Sequence, residues 1–165
     1  GAPDGGPNAA ADGFVDAVAD AVTARSSDAM PRELWRKLAV NAGINPVTAL
    51  TGLRNGDAAA RAGDVMRAAA EEVAAVASDE GVGAGEPEEL ADETVRVARS
   101  TAENRSSMLV DVGAGRRTEI DAINGHVVAV ADRSVPTNRA LAGLVRARTG
   151  DVAGADGTHD RGGAS

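Results

Sequence analysis

In the run ELWRKLAVNAGINPVTAL, residues 33–50, a primary amine and two carboxamides recur at every fourth position: Lys37, Asn41 and Asn45. On a helix, positions i, i+4 and i+8 lie nearly above one another, so the three form one polar line along an apolar segment. An ammonium can donate a proton to a developing oxyanion, and carboxamides both donate and accept hydrogen bonds. That combination suits the holding of a hydroxy- or keto-acid. Asparagine is a poor mid-helix residue unless its amide finds a partner. Leu34, Leu38 and Ala42 edge the line and place it at the margin of buried surface. Partial desolvation there disfavours the charged form of a lysine and makes it a better acid near neutral pH. Of the 17 basic residues, all but Lys37 are arginine. Guanidinium is effectively never deprotonated, so the one titratable side-chain amine falls inside the line. A solvated surface stripe under a biased composition would produce the same residues without a function.

A second cluster, SSMLVDVGAGRRTEID, spans residues 106–121. Ser106 and Ser107 have the position of helix caps. Two readings stand for Glu119. Behind a Thr118 cap it is a first-turn acid favoured by the helix dipole; alternatively it pairs with Lys37 across helices, aligning the amine and controlling its proton. Arg116 and Arg117 could attract a phosphate, although two arginines in a turn are usually solvated. Asn124-Gly125 reads as helix packing, with glycine allowing close approach. His126 and His159 are too far apart and too unsupported for a metal site.

These groups need helices to hold them. The first 13 residues are rich in glycine, proline and small polar residues and read as a flexible lead-in. Phe14, Val15, Val18 and Val22 share one helical face, so residues 14–31 read as a helix and linker. Pro31 suits the first turn of a helix from Arg32 to about Asn45, where Pro46 predicts an end or a kink. After the turn-like GLRNGD, residues 52–57, an amphipathic helix is expected from Ala58 to about Glu80. Glu86-Pro87 opens another, with Leu90, Thr94, Val97 and Thr101 on its inner face. Two helical pieces flank GAGRR, and a proline-led helix follows Pro136. Residues 150–165 have the composition of a disordered tail. No segment alternates like a strand, and GVGAGE follows a helix and lacks the third glycine of a dinucleotide-binding loop. The fold class is all-α, a helical bundle.

Composition limits the rest. Phe14 and Trp35 are the only aromatic residues, so the core must be built from small aliphatic side chains in closely packed helices. The absence of cysteine excludes disulfides and thiolate metal sites. A formal charge of -8 argues against a nucleic-acid partner, because phosphate contacts need clustered cations. No apolar run reaches the ~18 residues of a membrane span, and no basic-then-apolar leader opens the chain, so a cytoplasmic protein is the expectation.

Taken in order, ELWRKLAVNAGINPVTALTGLRNGD, EEVAAVASDEG, TAENRSSMLVDVGAGRRTEIDAINGHVV and VPTNRALAGLVRA carry a resemblance. Over roughly residues 33–148 the chain resembles the C-terminal domain of the ketopantoate reductases (2-dehydropantoate 2-reductases), a helical domain of the 6-phosphogluconate dehydrogenase-like superfamily. The resemblance implies that residues 32–149 form a substrate-binding and catalytic domain. It puts Lys37 at the proton-donating lysine, and Asn41, Asn45, Asn55 and Ser107 at positions that bind the keto acid. Glu119 matches a glutamate beside the cofactor and the lysine. By the same resemblance, NADPH delivers hydride to the C2 carbonyl of ketopantoate while the Lys37 ammonium protonates the nascent alkoxide. The product is pantoate, for pantothenate and coenzyme A synthesis. The family's N-terminal Rossmann domain, with its glycine-rich loop, has no counterpart in these residues. Residues 14–31 resemble its end, so activity is expected only with such a domain present. Two alternatives remain: a reductase of another 2-keto acid, and a non-catalytic helical module that forms a homodimer or docks on a partner.

Overall fold

The computed structural model describes residues 31–150, so the expected lead-in, the helix over 14–24 and nearly all of the tail lie outside the described residues. Six helices and no strand occur among the described residues: α1 (Arg32–Thr51), α2 (Asn55–Asp79), α3 (Pro87–Ser100), α4 (Ser107–Gly113), α5 (Asn124–Val130) and α6 (Pro136–Thr149). The all-α expectation holds. Helices α1, α2 and α3 pack on one another, α4 lies against α1, and α6 closes over α1, α2 and α5.

The core is aliphatic and largely alanine and valine: Ala39, Ala42, Ala70, Val73, Ala77 and Val145 are all buried. Small side chains let backbones approach. At Gly43 a Cβ would meet Thr94 Cγ2 at 2.7 Å and the Met66 carbonyl oxygen at 2.9 Å, so α1, α2 and α3 converge on a position with room for hydrogen alone. Trp35 supplies the one large aromatic surface, 1% exposed, its ring centroid 6.1 Å from that of His126.

Three boundaries differ from expectation. Helix α1 does not end at Pro46; it continues to Thr51 and stops at Gly52, whose φ of 74° is the left-handed cap geometry and whose N–H donates to the Thr48 carbonyl at 2.9 Å. A proline deprives the carbonyl four residues earlier of its partner. Here that carbonyl, on Ala42, accepts from Asn124 Nδ2 at 3.0 Å instead, and the helix survives.

Helix α2 starts at Asn55, inside the expected turn. Its first amides, normally orphaned, donate to the loop after α3: Asn55 N–H to the Asn104 carbonyl and Gly56 N–H to the Ala102 carbonyl, both at 3.0 Å. That loop passes so close that a Cβ on Gly56 would sit 2.5 Å from Ala102 Cβ. The helix also breaks geometry once, at Ala62 (φ -132°, ψ 25°), a kink no residue pattern announces.

The third difference is at TEID. Thr118 does not cap a helix: its Oγ1 accepts from Ile120 N–H at 3.4 Å within successive turns, and α5 begins only at Asn124. The GVGAGE segment joins α2 to α3, a helix-to-helix connection unlike a strand-to-helix nucleotide loop.

Candidate functional site

Because α1 runs unbroken, Lys37, Asn41, Asn45 and Thr48 share one continuous helical face. Lys37 is exposed, Asn41 half-buried and Asn45 buried, so the line descends from solvent into the bundle. Lys37 and Asn41 line an open groove of about 300 Å³ between α1 and α3, with Glu33, Arg36 and Val40 on one wall and Glu93 and Val97 on the other. Glu93 and Val97 of α3, with Thr101 just past its end, repeat the four-residue spacing of Lys37, Asn41 and Asn45. One turn beyond Val97, Thr101 Oγ1 accepts from Asn55 Nδ2 at 3.0 Å, which ties Asn55 to the end of that wall.

Charge within the groove is divided unequally. Arg36 is committed: Nη1 donates to the Ala84 carbonyl at 2.8 Å and to Glu89 at 3.4 Å, and Nη2 is bound to Glu93. Lys37, the next residue, makes no ion pair or hydrogen bond with any described residue. The arginine therefore neutralises Glu93 and fastens α1 to α3, leaving the ammonium as the uncommitted cation of the groove. Lys37, which its neighbours in sequence place at the margin of buried surface, is exposed among the described residues.

At the far end of the line the structure brings α4 to α1. Ser106 caps α4, accepting from Leu109 N–H at 3.1 Å, and its Oγ lies 2.6 Å from Thr48 Oγ1. Thr48 also donates to the helix carbonyls of Ile44 and Asn45 at 2.9 and 3.0 Å. Ser106 is thus fully engaged, and Ser107, half-buried in the first turn of α4, is placed beside α1 at the level of Thr48.

Glu119 is half-buried in the turns before α5, where its carbonyl accepts from the N–H groups of Ala122 and Ile123. Arg116 is likewise structural, its Nε bonded to Asp111 at 3.0 Å.

The opposite wall was the part sequence reasoning missed. Its four-residue repeat on α3 is visible in hindsight, but an acid, a valine and a threonine do not announce a polar line. The hydroxyl pair Thr48–Ser106 and the anchor Arg36 were also missed, because each depends on contacts more than forty residues apart in the chain.

A dinucleotide's pyrophosphate needs free amides at a helix start. The starts of α2, α3 and α6 do not offer that seat. The start of α2 is covered by carbonyls of the 102–104 loop, and Glu72 occupies the Thr137 and Asn138 amides of α6 at 2.8 and 2.9 Å. The start of α3 carries Glu88 and Glu89, which repel phosphate. Among the described residues no group of acidic and histidine side chains could hold a metal ion, and no helix is long and apolar enough to cross a membrane.

Comparison with known proteins places this geometry in a family. The family described as "Ketopantoate reductase PanE/ApbA C terminal" matches residues 29–149. A 2-dehydropantoate 2-reductase of Shigella flexneri is 45% identical over 117 residues, covering 69% of this chain and 38% of that protein. One of Archaeoglobus fulgidus is 40% identical over 120 residues, covering 68% and 39%. The crystal structure of a PanE/ApbA family ketopantoate reductase from Ralstonia eutropha JMP134 superposes with a TM-score of 0.66 at 37% identity, over 75% of this chain and 43% of that one. The chain thus spans less than half the length of the relatives it matches. Since the family match takes in every helix from α1 to α6, the chain belongs to the ketopantoate reductase family, of which it carries the C-terminal domain.

Proposed function

We propose that this chain is the substrate-binding and proton-donating half of an NADPH-dependent 2-dehydropantoate 2-reductase. The observation that carries the reading is the pairing of an uncommitted Lys37 with Asn41 on one wall of an open groove whose other cation, Arg36, is spent on Glu93. The bound nicotinamide cofactor supplies the hydride, and its phosphates are held by a domain outside the described residues. Lys37 faces the C2 oxygen of the keto acid, stabilises the charge that develops there and transfers its proton to it. Asn41 and Asn45 fix the orientation of the carbonyl and the hydroxyl. Ser107 and Asn55 meet the substrate at the deeper end of the line. Glu119 belongs to the cofactor side.

The test has two arms. The chain itself is titrated with 2-dehydropantoate while the side-chain amide resonances of Asn41 and Asn45 are followed; both are expected to shift. The chain is then joined to a dinucleotide-binding domain of the family, and NADPH consumption is measured. Lys37→Ala is expected to lower kcat by about 10²–10⁴-fold, the usual worth of a positioned general acid, with little change in KM. Near-normal turnover in that variant rules out the proton-donor role. Failure of the joined wild-type protein to consume NADPH with 2-dehydropantoate, while a different 2-keto acid is reduced, would move the substrate assignment to that acid.

A further inference from the structure

Asn124 is fully buried, and its carboxamide nitrogen donates twice, to the Ala42 carbonyl and to Asn138 Oδ1, each at 3.0 Å. Ala42 is not an ordinary helix acceptor. The residue that should bond to it, four positions on, is Pro46, which has no N–H to give. We propose that Asn124 is a positioning residue for the polar line. Its amide replaces the hydrogen bond that Pro46 cannot make and so keeps Lys37 and Asn41, before the open turn, in register with Asn45 within it and Thr48 beyond it. The inference rests on reading that line as a substrate wall, since only then does register across that turn matter to function.

The orientation of the amide is fixed by its surroundings. Both atoms facing Nδ2 are acceptors. Asn138 cannot exchange its roles, because its own Nδ2 is committed to the Ala69 carbonyl at 3.1 Å and to Glu72 at 2.7 Å. Turning Asn124 over would set oxygen against oxygen on two sides. Glu72 in turn holds the first amides of α6, so the donor aimed at Ala42 is locked from behind by α2 and α6 together. Asn124 Oδ1, by contrast, is buried without a partner. A side chain kept there with half its hydrogen-bonding capacity unmet is held for the half that is used.

The geometry explains why the device sits where it does. The polar line runs through the turn that Pro46 leaves open: Lys37 and Asn41 precede the Ala42 carbonyl, Asn45 lies within the turn from Ala42 to Pro46, and Thr48 lies beyond it. Groups that act on one small substrate must keep their spacing, because a displacement of about 1 Å can cost on the order of 10²-fold in rate. A helix left with an unsatisfied carbonyl in that turn would bend there.

Asn124→Ala, Pro46→Ala and the double variant test this in the full chain. Alanine at position 46 restores an N–H opposite the Ala42 carbonyl, so the double variant regains the bond without Asn124. Hydrogen exchange is read first, with no ligand. Asn124→Ala is expected to speed exchange of the α1 amides after Pro46 by about tenfold or more, and the double variant to return them to within about threefold of Pro46→Ala alone. General loosening of the core would raise exchange in α6 to the same extent and would not respond to residue 46; that pattern overturns the proposal. If Asn124→Ala alone does not fold, comparing Pro46→Ala with the double variant decides: near-equal exchange in α1 supports the proposal, and a tenfold gap overturns it. The dissociation constant for 2-dehydropantoate is then expected to rise about tenfold in Asn124→Ala and recover in the double variant. Absence of binding by the wild-type chain would count against the substrate reading alone, leaving the exchange pattern to judge Asn124.

Discussion

Gly43 offers a prediction in which two opposing effects can be weighed. Replacing a mid-helix glycine by alanine ordinarily stabilises a helix by about 0.8–1 kcal/mol, because the folded backbone loses less freedom. At Gly43 the added methyl would lie 2.7 Å from Thr94 Cγ2 and 2.9 Å from the Met66 carbonyl oxygen. Carbon atoms prefer about 3.5–4.0 Å, so the first contact is short by roughly 0.8 Å. Neither neighbour yields easily: Thr94 Oγ1 is held by the Leu90 carbonyl at 2.7 Å, and the Met66 oxygen is backbone. Overpacking of this kind costs about 1–3 kcal/mol. Gly143, within α6, has nothing within 4 Å of its would-be Cβ and shows the propensity gain alone. Comparing Gly43→Ala with Gly143→Ala cancels the propensity and leaves the overpacking, a gap of about 1–3 kcal/mol, or roughly 3–9 °C in Tm at about 3 °C per kcal/mol. Urea denaturation with matched slopes, supported by calorimetry, measures it. Thr94→Ser added to Gly43→Ala removes the methyl contact but keeps the hydroxyl bond, and recovers part of the loss. A Gly43→Ala protein as stable as Gly143→Ala would refute the claim that α1, α2 and α3 meet in contact there.

Ser106→Ala removes both the cap of α4 and the partner of Thr48. A loss of about 1–2 kcal/mol is expected in chemical denaturation, and a change below about 0.3 would show that α4 does not depend on that hydroxyl. The Arg133 guanidinium, hydrogen-bonded to Asp79 at 2.6 and 2.8 Å, holds that carboxyl below the usual carboxylate range. A depressed folded pKa contributes stability above the unfolded value of about 3.9 and loses it as pH falls through the folded one. Asp79→Asn should therefore melt below the wild type near neutrality and converge with it as the pH falls through the lowered pKa of the folded carboxyl; a gap that persists or widens in acid contradicts the assignment.

Much of the bundle is legible because helical periodicity and turn residues are local signals. Pro87 and Pro136 at the first positions of α3 and α6, and the small-residue core, follow directly from the chain. Pro46 shows where local reasoning fails. Its effect on α1 is decided by Asn124, a residue 82 positions beyond Ala42, and no rule applied to residues 42–46 contains that donor. The start of α2 fails for the same reason, since Asn55 and Gly56 are drawn into the helix by carbonyls of the 102–104 loop. Asn124 itself was read as packing. Its neighbour Gly125 does pack closely, 3.0 Å from Arg146 Nη2 by its would-be Cβ, but the asparagine is the hub of a buried hydrogen-bond network. For the site, the spacing of Lys37, Asn41 and Asn45 was visible, whereas the engagement of Arg36 and Ser106 required the tertiary fold.

The contrast between Arg36 and Lys37 shows how two neighbouring cations of one helix can be put to different use. Adjacent cations on a helix point about 100° apart, so one can serve structure while its neighbour serves chemistry. Arg36 spans α1, the 82–86 loop and α3 with a planar, permanently charged group suited to several fixed acceptors. A lysine there would hold those acceptors less rigidly, and an arginine at position 37 could not release a proton. The two residue types are therefore not interchangeable between the two positions. Glu93, already bound to Arg36, is not available to pair with the Lys37 ammonium, so the division of labour between the two cations is set by which of them reaches the fixed acceptors of α3 and the 82–86 loop.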